Sequence, residues 1–247
     1  MMLKRRILTA GILAALTWPA AWAGNFSIGV EVTEYLPISR GDGGNYTGYA
    51  RELLDAFAAK YGHTFTYKPW PVSRLFDEFT VQKSIDFKFP DNAFWAADAK
   101  KGITIAYSKG IVSVTEGLMV LPANKGKVTT VTKIATLRGF TPFPYLDQIK
   151  AKKITVTEVN TTDAALSMGE AGRVDGVYLG VLAANYTLAE VMKKPGALVF
   201  DDKLPNSSND FSLSSISHPE VIKQMDEFLV KEKDTVLKLK AKYKIVE

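Results

Sequence analysis

The residues of this chain best suited to chemistry are aromatic and polar side chains set close together in short turn-like stretches. Glu34 and Tyr35 form one pair, Trp70 and Arg74 a second, and Asp91, Asn92, Phe94 and Trp95 a third cluster. Further along stand Arg138, Thr141, Phe143, Asn160, Thr161 and Tyr178. Flat aromatic walls with a few fixed polar groups are the usual make-up of a small-molecule pocket. The same residues have plainer uses. Trp70 and Trp95 suit half-buried packing, and Arg74 can pair with Asp77 or Glu78 along one helix. Asp91-Asn92 suits a turn. Asn160 and Thr161 suit a helix start, where free N–H groups can also receive a carboxylate or phosphate oxygen.

Covalent and metal chemistry find less support. The chain has no Cys, hence no disulfide and no Cys-ligated metal. His63 and His218 are the only histidines and lie far apart, which argues against a His-based metal site or triad. There is no G-x-S-x-G, no H-E-x-x-H and no phosphate loop, and Gly41-Asp42-Gly43-Gly44 lacks the spacing of a dinucleotide fingerprint. No cofactor or metal is expected, and no catalytic motif stands out.

The N-terminus bears on compartment. Lys4, Arg5 and Arg6 precede an uncharged apolar run over residues 7–18, and Ala21-Trp22-Ala23 offers small residues to a signal peptidase. This is the layout of a cleavable secretory signal over residues 1–23, and the run is short for a membrane span. Export to the periplasm is expected. The segment removed has three of the 31 basic residues and no acid, so 28 basic residues face 26 acidic ones and the formal charge falls from +5 to +2. Nucleic-acid binding has no electrostatic footing at that balance. With 47% hydrophobic residues the chain has material for a core without disulfides.

The elements that must position these residues alternate in kind. Residues 26–32 (FSIGVEV) read as a strand, and 40–47, rich in Gly, Asp and Asn, as a turn region. From 48 to 61, Ala50, Leu53, Leu54, Phe57, Ala58 and Tyr61 mark one helix face, with Gly62 placed to end it. A strand over 64–68, a helix over 73–82 and a strand over 85–89 complete a βαβαβ series, the order of a parallel sheet. A second series follows, with an extended run at 111–121, helices at 144–151, 162–171 and 181–192, and strands at 154–159, 174–179 and 197–200. Residues 204–209 read as loop and 211–217 as strand. Ser217-His218-Pro219-Glu220 carries an N-cap Ser, an early Pro and a Glu at the third position, and the Lys-rich 231–244 reads as a terminal helix. The expected fold is α/β with two lobes, each a mostly parallel sheet flanked by helices, joined by two crossing strands near 108–114 and 200–208. Residues 24–110 plus 206–247 would form lobe 1 and 111–205 lobe 2, in a monomer.

Five fragments in order then resemble the extracellular solute-binding proteins of family 3, the amino-acid-binding type. Residues 45–53 (NYTGYAREL) resemble the family's "G-x-x-x-G-[FY]-x-x-[DE]-L" opening of the first helix. Pro69-Trp70 followed by Arg74-Leu75 resembles its "PW…R" element, and Ile85-Asp86 its "(G)-x-[IV]-D" strand. Tyr107-Ser108 resembles "[FY]-S-x-P", with Gly110 in place of the Pro, and residues 164–177 resemble "A-L-x-x-L-x-x-G-R-V-D-A-V". The resemblance implies the type II periplasmic-binding-protein fold, a ligand held between the lobes, closure by hinge bending, and an ABC permease as partner. Ligands of open parallel sheets do sit beyond the strands' C-terminal ends, and hinge closure around a ligand is a known motion. On that frame the expected ligand-binding residues are Glu34, Tyr35, Trp70, Arg74, Asp91, Asn92, Trp95, Thr141, Phe143, Asn160, Thr161 and Tyr178.

Two departures bear on the ligand. Members that bind α-amino acids usually carry an Arg in a "T-x-x-R" segment, where residues 94–101 here read FWAADAKK. Lys100 or Lys101 is the available replacement, without the bidentate fork of a guanidinium. The Asp that those members place after the "G-R-V-D" strand is Gly180 here. A standard α-amino acid is therefore not the expected ligand, and a molecule with ring surface, or a cation stacked on aromatic faces, fits better. The alternatives are a ligand-sensing subunit for a membrane receptor, or an enzyme of the cyclohexadienyl-dehydratase type with Glu34 and Asp91 as acid and base.

Overall fold

A computed structural model describes residues 23–42 and 44–245, so the expected secretion signal, apart from Ala23, lies outside the described residues. β1 (Asn25–Glu31) leads to a small antiparallel meander of Glu34–Tyr35, Ser39–Asp42 and Asn45–Thr47. Residues 40–42 and 45–47, in the Gly/Asp/Asn-rich stretch expected as turn, are thus strand. α1 (Tyr49–Tyr61) buries Leu53, Leu54 and Phe57, and Gly62 ends it in the left-handed region at φ 74° with its N–H on the Ala58 carbonyl. β2 (Thr64–Trp70) runs straight into α2 (Val72–Thr80) through Pro71, and β3 (Phe87–Asp91) is buried along its whole length. β2 and β3 both pair with β1 in parallel, as the βαβαβ order requires.

β4 (Val112–Val120) opens the second half. β5 (Lys133–Leu137) and β6 (Thr155–Val159) pair in parallel, α3 (Thr162–Glu170) covers them, and β7 (Gly176–Gly180) pairs in parallel with β5 and antiparallel with β4. A helix at Val181–Tyr186 continues into a π turn at Thr187–Val191. β8 (Ser207–Ser215) returns the chain, so strand structure reaches into residues expected as loop. α4 (Pro219–Lys231) and α5 (Lys233–Lys242) complete it. His218, not Ser217, stands at the cap of α4. The Ser215 hydroxyl receives the N–H groups of both Ser217 and His218, ending β8 and turning the chain into the helix.

The strand order β6-β5-β7-β4-β8-β3-β1-β2 places β4 and β8 at the centre. These two nine-residue strands pair antiparallel from Ser207↔Glu116 to Phe211↔Val112. Beyond that shared stretch they part company. The rest of β4 pairs with β7 and Val199–Phe200, and the rest of β8 with β3 and Ala106–Tyr107. Two strands therefore join two parallel half-sheets, and the C-terminal ends of β1, β3, β5 and β7 converge on the space between them.

Candidate functional site

In that space lies a cavity of about 150 Å³. Glu31 comes from the end of β1, Tyr35 and Ser39 from the meander, Pro90 from the end of β3, and Val72, Ser73 and Phe76 from the first turns of α2. Gly139, Phe140 and Thr141 come from the loop after β5, Glu116 from β4 and Phe211 from β8, while Trp95 and Ala96 follow β3. The walls are aromatic. Trp95 meets Phe211 edge-on at 5.1 Å, Tyr35 lies near-parallel to Phe211 at 6.4 Å, and Phe140 meets Tyr35 edge-on at 5.5 Å, each between ring centroids.

The two halves touch directly across this space. The Gly180 amide donates to the Tyr35 hydroxyl at 2.7 Å, and the Thr162 hydroxyl donates to the Glu34 carbonyl at 2.8 Å. Gly180 must lack a side chain here, because a Cβ would stand 2.2 Å from the Tyr35 oxygen. Gly139, at φ 82°, passes so close to α2 that a Cβ would lie 3.2 Å from Val72. The cleft is therefore shut.

Two carboxyl groups dominate its electrostatics. Glu31 is 7% exposed and Glu116 5%. Burial pushes Glu31 up from 4.5 to about 7; the positive charge of Lys88 works against that rise and Asp91 adds to it. Burial pushes Glu116 up to about 7 as well, and the charge of Glu31 adds to the rise. Burial, with Glu116 nearby, holds the Tyr35 phenol well above its ordinary range. Among the described residues, no Lys, Arg or His lines this cavity.

The nearest lysines are committed elsewhere. Lys100 Nζ donates to Asp91 at 2.7 Å and to the Asn92 carbonyl at 2.6 Å, and Lys88 Nζ lies 3.5 Å from the same carboxylate. Ser214 and the Asn92 amide also donate to Asp91, which is fully buried. Both ammonium groups lie over the ring of Phe76, at 4.1 Å for Lys88 and 5.3 Å for Lys100. Burial lowers the Lys100 pKa despite the attraction of Asp91. This is a structural knot tying β3 to β8, with Phe76 between it and the cavity.

No protein-family model and no curated protein matches the sequence. Solved structures do match. A substrate-binding protein of an ABC uptake transporter from Streptococcus pneumoniae, with bound histidine, superposes at TM-score 0.67 and 22% identity over 89% of this chain and 92% of its own. A histidine kinase sensor domain similar to periplasmic binding proteins gives 0.69 and 16% over 89% and 95%. An ancestral amino-acid-binding protein, a precursor of cyclohexadienyl dehydratase, gives 0.67 and 19% over 89% and 95%. The chain has the two-lobed periplasmic-binding-protein fold.

Within this binding-protein fold, the residues singled out from sequence separate into groups. Tyr35, Trp95 and Thr141 line the cavity. Glu34 sits beside it and gives only its carbonyl, to Thr162. Asp91 is the centre of the buried knot. Asn92 lines a second, open groove with Phe94, Tyr107 and Asp210 along the crossing strands. Trp70 packs against Leu75, Phe79 and Ile85, with the Arg74 guanidinium 5.4 Å from its ring. Arg74 is largely exposed and pairs with Glu78 at 3.2 Å, four residues along α2. Phe143 is exposed, Asn160 accepts from Arg138, and Thr161 caps α3 through the Ala164 amide. Tyr178 is buried against Tyr145, 3.4 Å from the Ser207 hydroxyl. Lys100 lies in the knot and Lys101 is exposed, so neither reaches the cavity. Glu31, Glu116, Phe76, Phe140 and Phe211 were not foreseen. For Glu31 the available signal was an acid at a strand's C-terminal end; for Glu116 it was one acid inside an apolar run.

Proposed function

We propose that this chain is a periplasmic solute-binding protein of the family 3 type, which shuts two lobes over a small ligand and presents it to an inner-membrane ABC permease or sensor. Lobe 1 is residues 24–110 plus 206–247 and lobe 2 is 111–205, with β4 and β8 as the hinge. The observation that carries this reading is an aromatic, carboxyl-bearing cavity built from both halves and closed over by direct bonds between them. Pockets at the strand ends of such sheets are the ordinary place for a ligand. The ligand is not a standard α-amino acid: among the described residues no cationic side chain lines the cavity to take a carboxylate, and the Tyr35 hydroxyl occupies the space beside Gly180.

Native mass spectrometry of the protein purified from periplasm, followed by scattering with and without the molecule released, tests this. A retained small molecule whose removal enlarges the radius of gyration supports the reading. A protein that carries nothing, and whose radius no small-molecule extract changes, overturns it.

One observation favours a second reading. Two buried carboxyl groups raised to about 7 beside one cavity are the equipment of a general acid and base. Turnover of the retained molecule would establish it, whereas capture without conversion supports binding alone.

A further inference from the structure

We propose that the ligand of this cavity is a small organic cation, an ammonium or quaternary ammonium group, held by Glu31 and Glu116 and stacked on the surrounding rings. The inference deepens the solute-binding reading and rests on it. Glu116 carries it furthest. Its side chain stands in β4, nine-tenths buried and lining the cavity, with neither a salt bridge nor a hydrogen bond to its carboxyl among the described residues. A buried polar group without a partner is costly, and a buried charge more so. Such a group is kept where something arrives to pair with it.

Glu31 faces the same space from β1. Among the described residues the one cation near it is Lys88, whose ammonium is already shared between the Pro90 carbonyl and Asp91. The remaining titratable groups around the two acids are Tyr35, Tyr46, Asp91 and Tyr178, none of them cationic. Two buried acids thus stand with no positive charge of their own in the cavity. Phe76, Trp95, Phe140 and Phe211 supply ring surface around them, and a cation over such faces gains further attraction once desolvated. At about 150 Å³ the space matches a cavity known to take a molecule the size of benzene. A metal ion fits less well, because no group of three His, Cys, Asp or Glu side chains converges anywhere among the described residues.

Titration calorimetry with two matched pairs of probes tests the proposal: tetramethylammonium against tert-butanol, and benzylammonium against benzyl alcohol. The expected result is that at least one cation binds at pH 8 at least tenfold more tightly than its neutral partner. Glu116→Gln and Glu31→Gln should each weaken that cation at least tenfold while keeping wild-type circular dichroism. Because a cation needs the acids ionised, its affinity should fall between pH 8 and pH 5.5, with protons released on binding. Equal binding of neutral and charged partners, or Gln variants that bind the cation as the wild type does, would overturn the proposal. So would no binding of either cation, or calcium chloride competing with them. In those cases a molecule still retained in native mass spectra leaves the solute-binding reading standing, since that reading fails only if nothing is retained and no extract changes the radius.

Discussion

Glu116→Gln should stabilise the unliganded protein at pH 8 and do nothing at pH 4.5. The Glu116 carboxyl rises from 4.5 in an unfolded chain to about 7 in the folded one. Below 4.5 it is neutral in both states and costs nothing. Between 4.5 and 7 the folded state holds a proton that the unfolded state has lost, so stability falls as pH rises. Above about 7 the folded protein bears the whole cost of a buried charge. At 1.36 kcal/mol per pH unit this amounts to about 3 kcal/mol. Opening of the cleft rehydrates the carboxylate, which makes that figure a ceiling. Gln keeps the shape and removes the ionisation. Urea titration followed by tryptophan fluorescence, at pH 4.5, 6 and 8, reads the difference; 3 kcal/mol moves the midpoint by roughly 1 M or more. A variant with the wild-type midpoint at pH 8, or one stabilised equally at pH 4.5, would refute the account of Glu116 as a buried, uncompensated acid.

Other outcomes follow from the same geometry. Gly180→Ala, at φ −65° and ψ 127° where any residue is at ease, should still fold, yet its Cβ would collide with the Tyr35 hydroxyl and with Val114. Calorimetry with the retained ligand should show at least a tenfold loss of affinity, and unchanged affinity would show that the closed contact is dispensable. Lys100→Met leaves the fully buried Asp91 with Lys88, at 3.5 Å, as its one ion-pair partner among the described residues, and should cost about 3–5 kcal/mol of unfolding free energy in urea. A loss under 1 kcal/mol would mean that Asp91 is not held as a charge. Trp95→Ala should weaken ligand binding at least tenfold, whereas Arg74→Ala, outside the cavity and in a solvent-screened pair along α2, should leave affinity within twofold. The reverse order would move the site to the far side of α2.

The fold was legible because local signals agreed with one another. The face of α1 and its closing Gly62, and the strand–helix alternation, each pointed to the same parallel half-sheets. What misled were polar residues. Ser207, Ser208 and Asn209 look like loop by composition, yet backbone pairing with β4 makes them strand, because the partner strand supplies what β propensity does not. The site was half legible. Tyr35, Trp95 and Thr141 follow strand ends and line the cavity, while Arg74 and Trp70, one turn away, face outward on α2 and β2. Asp91 looked like a turn or a ligand contact, but Lys88, three residues before it, and Lys100, nine after it, wrap it, and the sequence does not show that both side chains turn inward. Glu116 was hidden by its neighbours, since an acid in an apolar strand reads as a solvent-facing alternation until β4 is seen to be buried on both faces from Glu116 to Val120.

The bond from the Gly180 amide to the Tyr35 phenol joins the two halves without any ligand atom. That contact favours the shut form whether or not a molecule occupies the cavity. Measured affinity then becomes the product of two quantities, the fit of the ligand and the fraction of molecules open to receive it. Tyr35 both lines the cavity and makes this contact, so a change there alters the latch and the fit together.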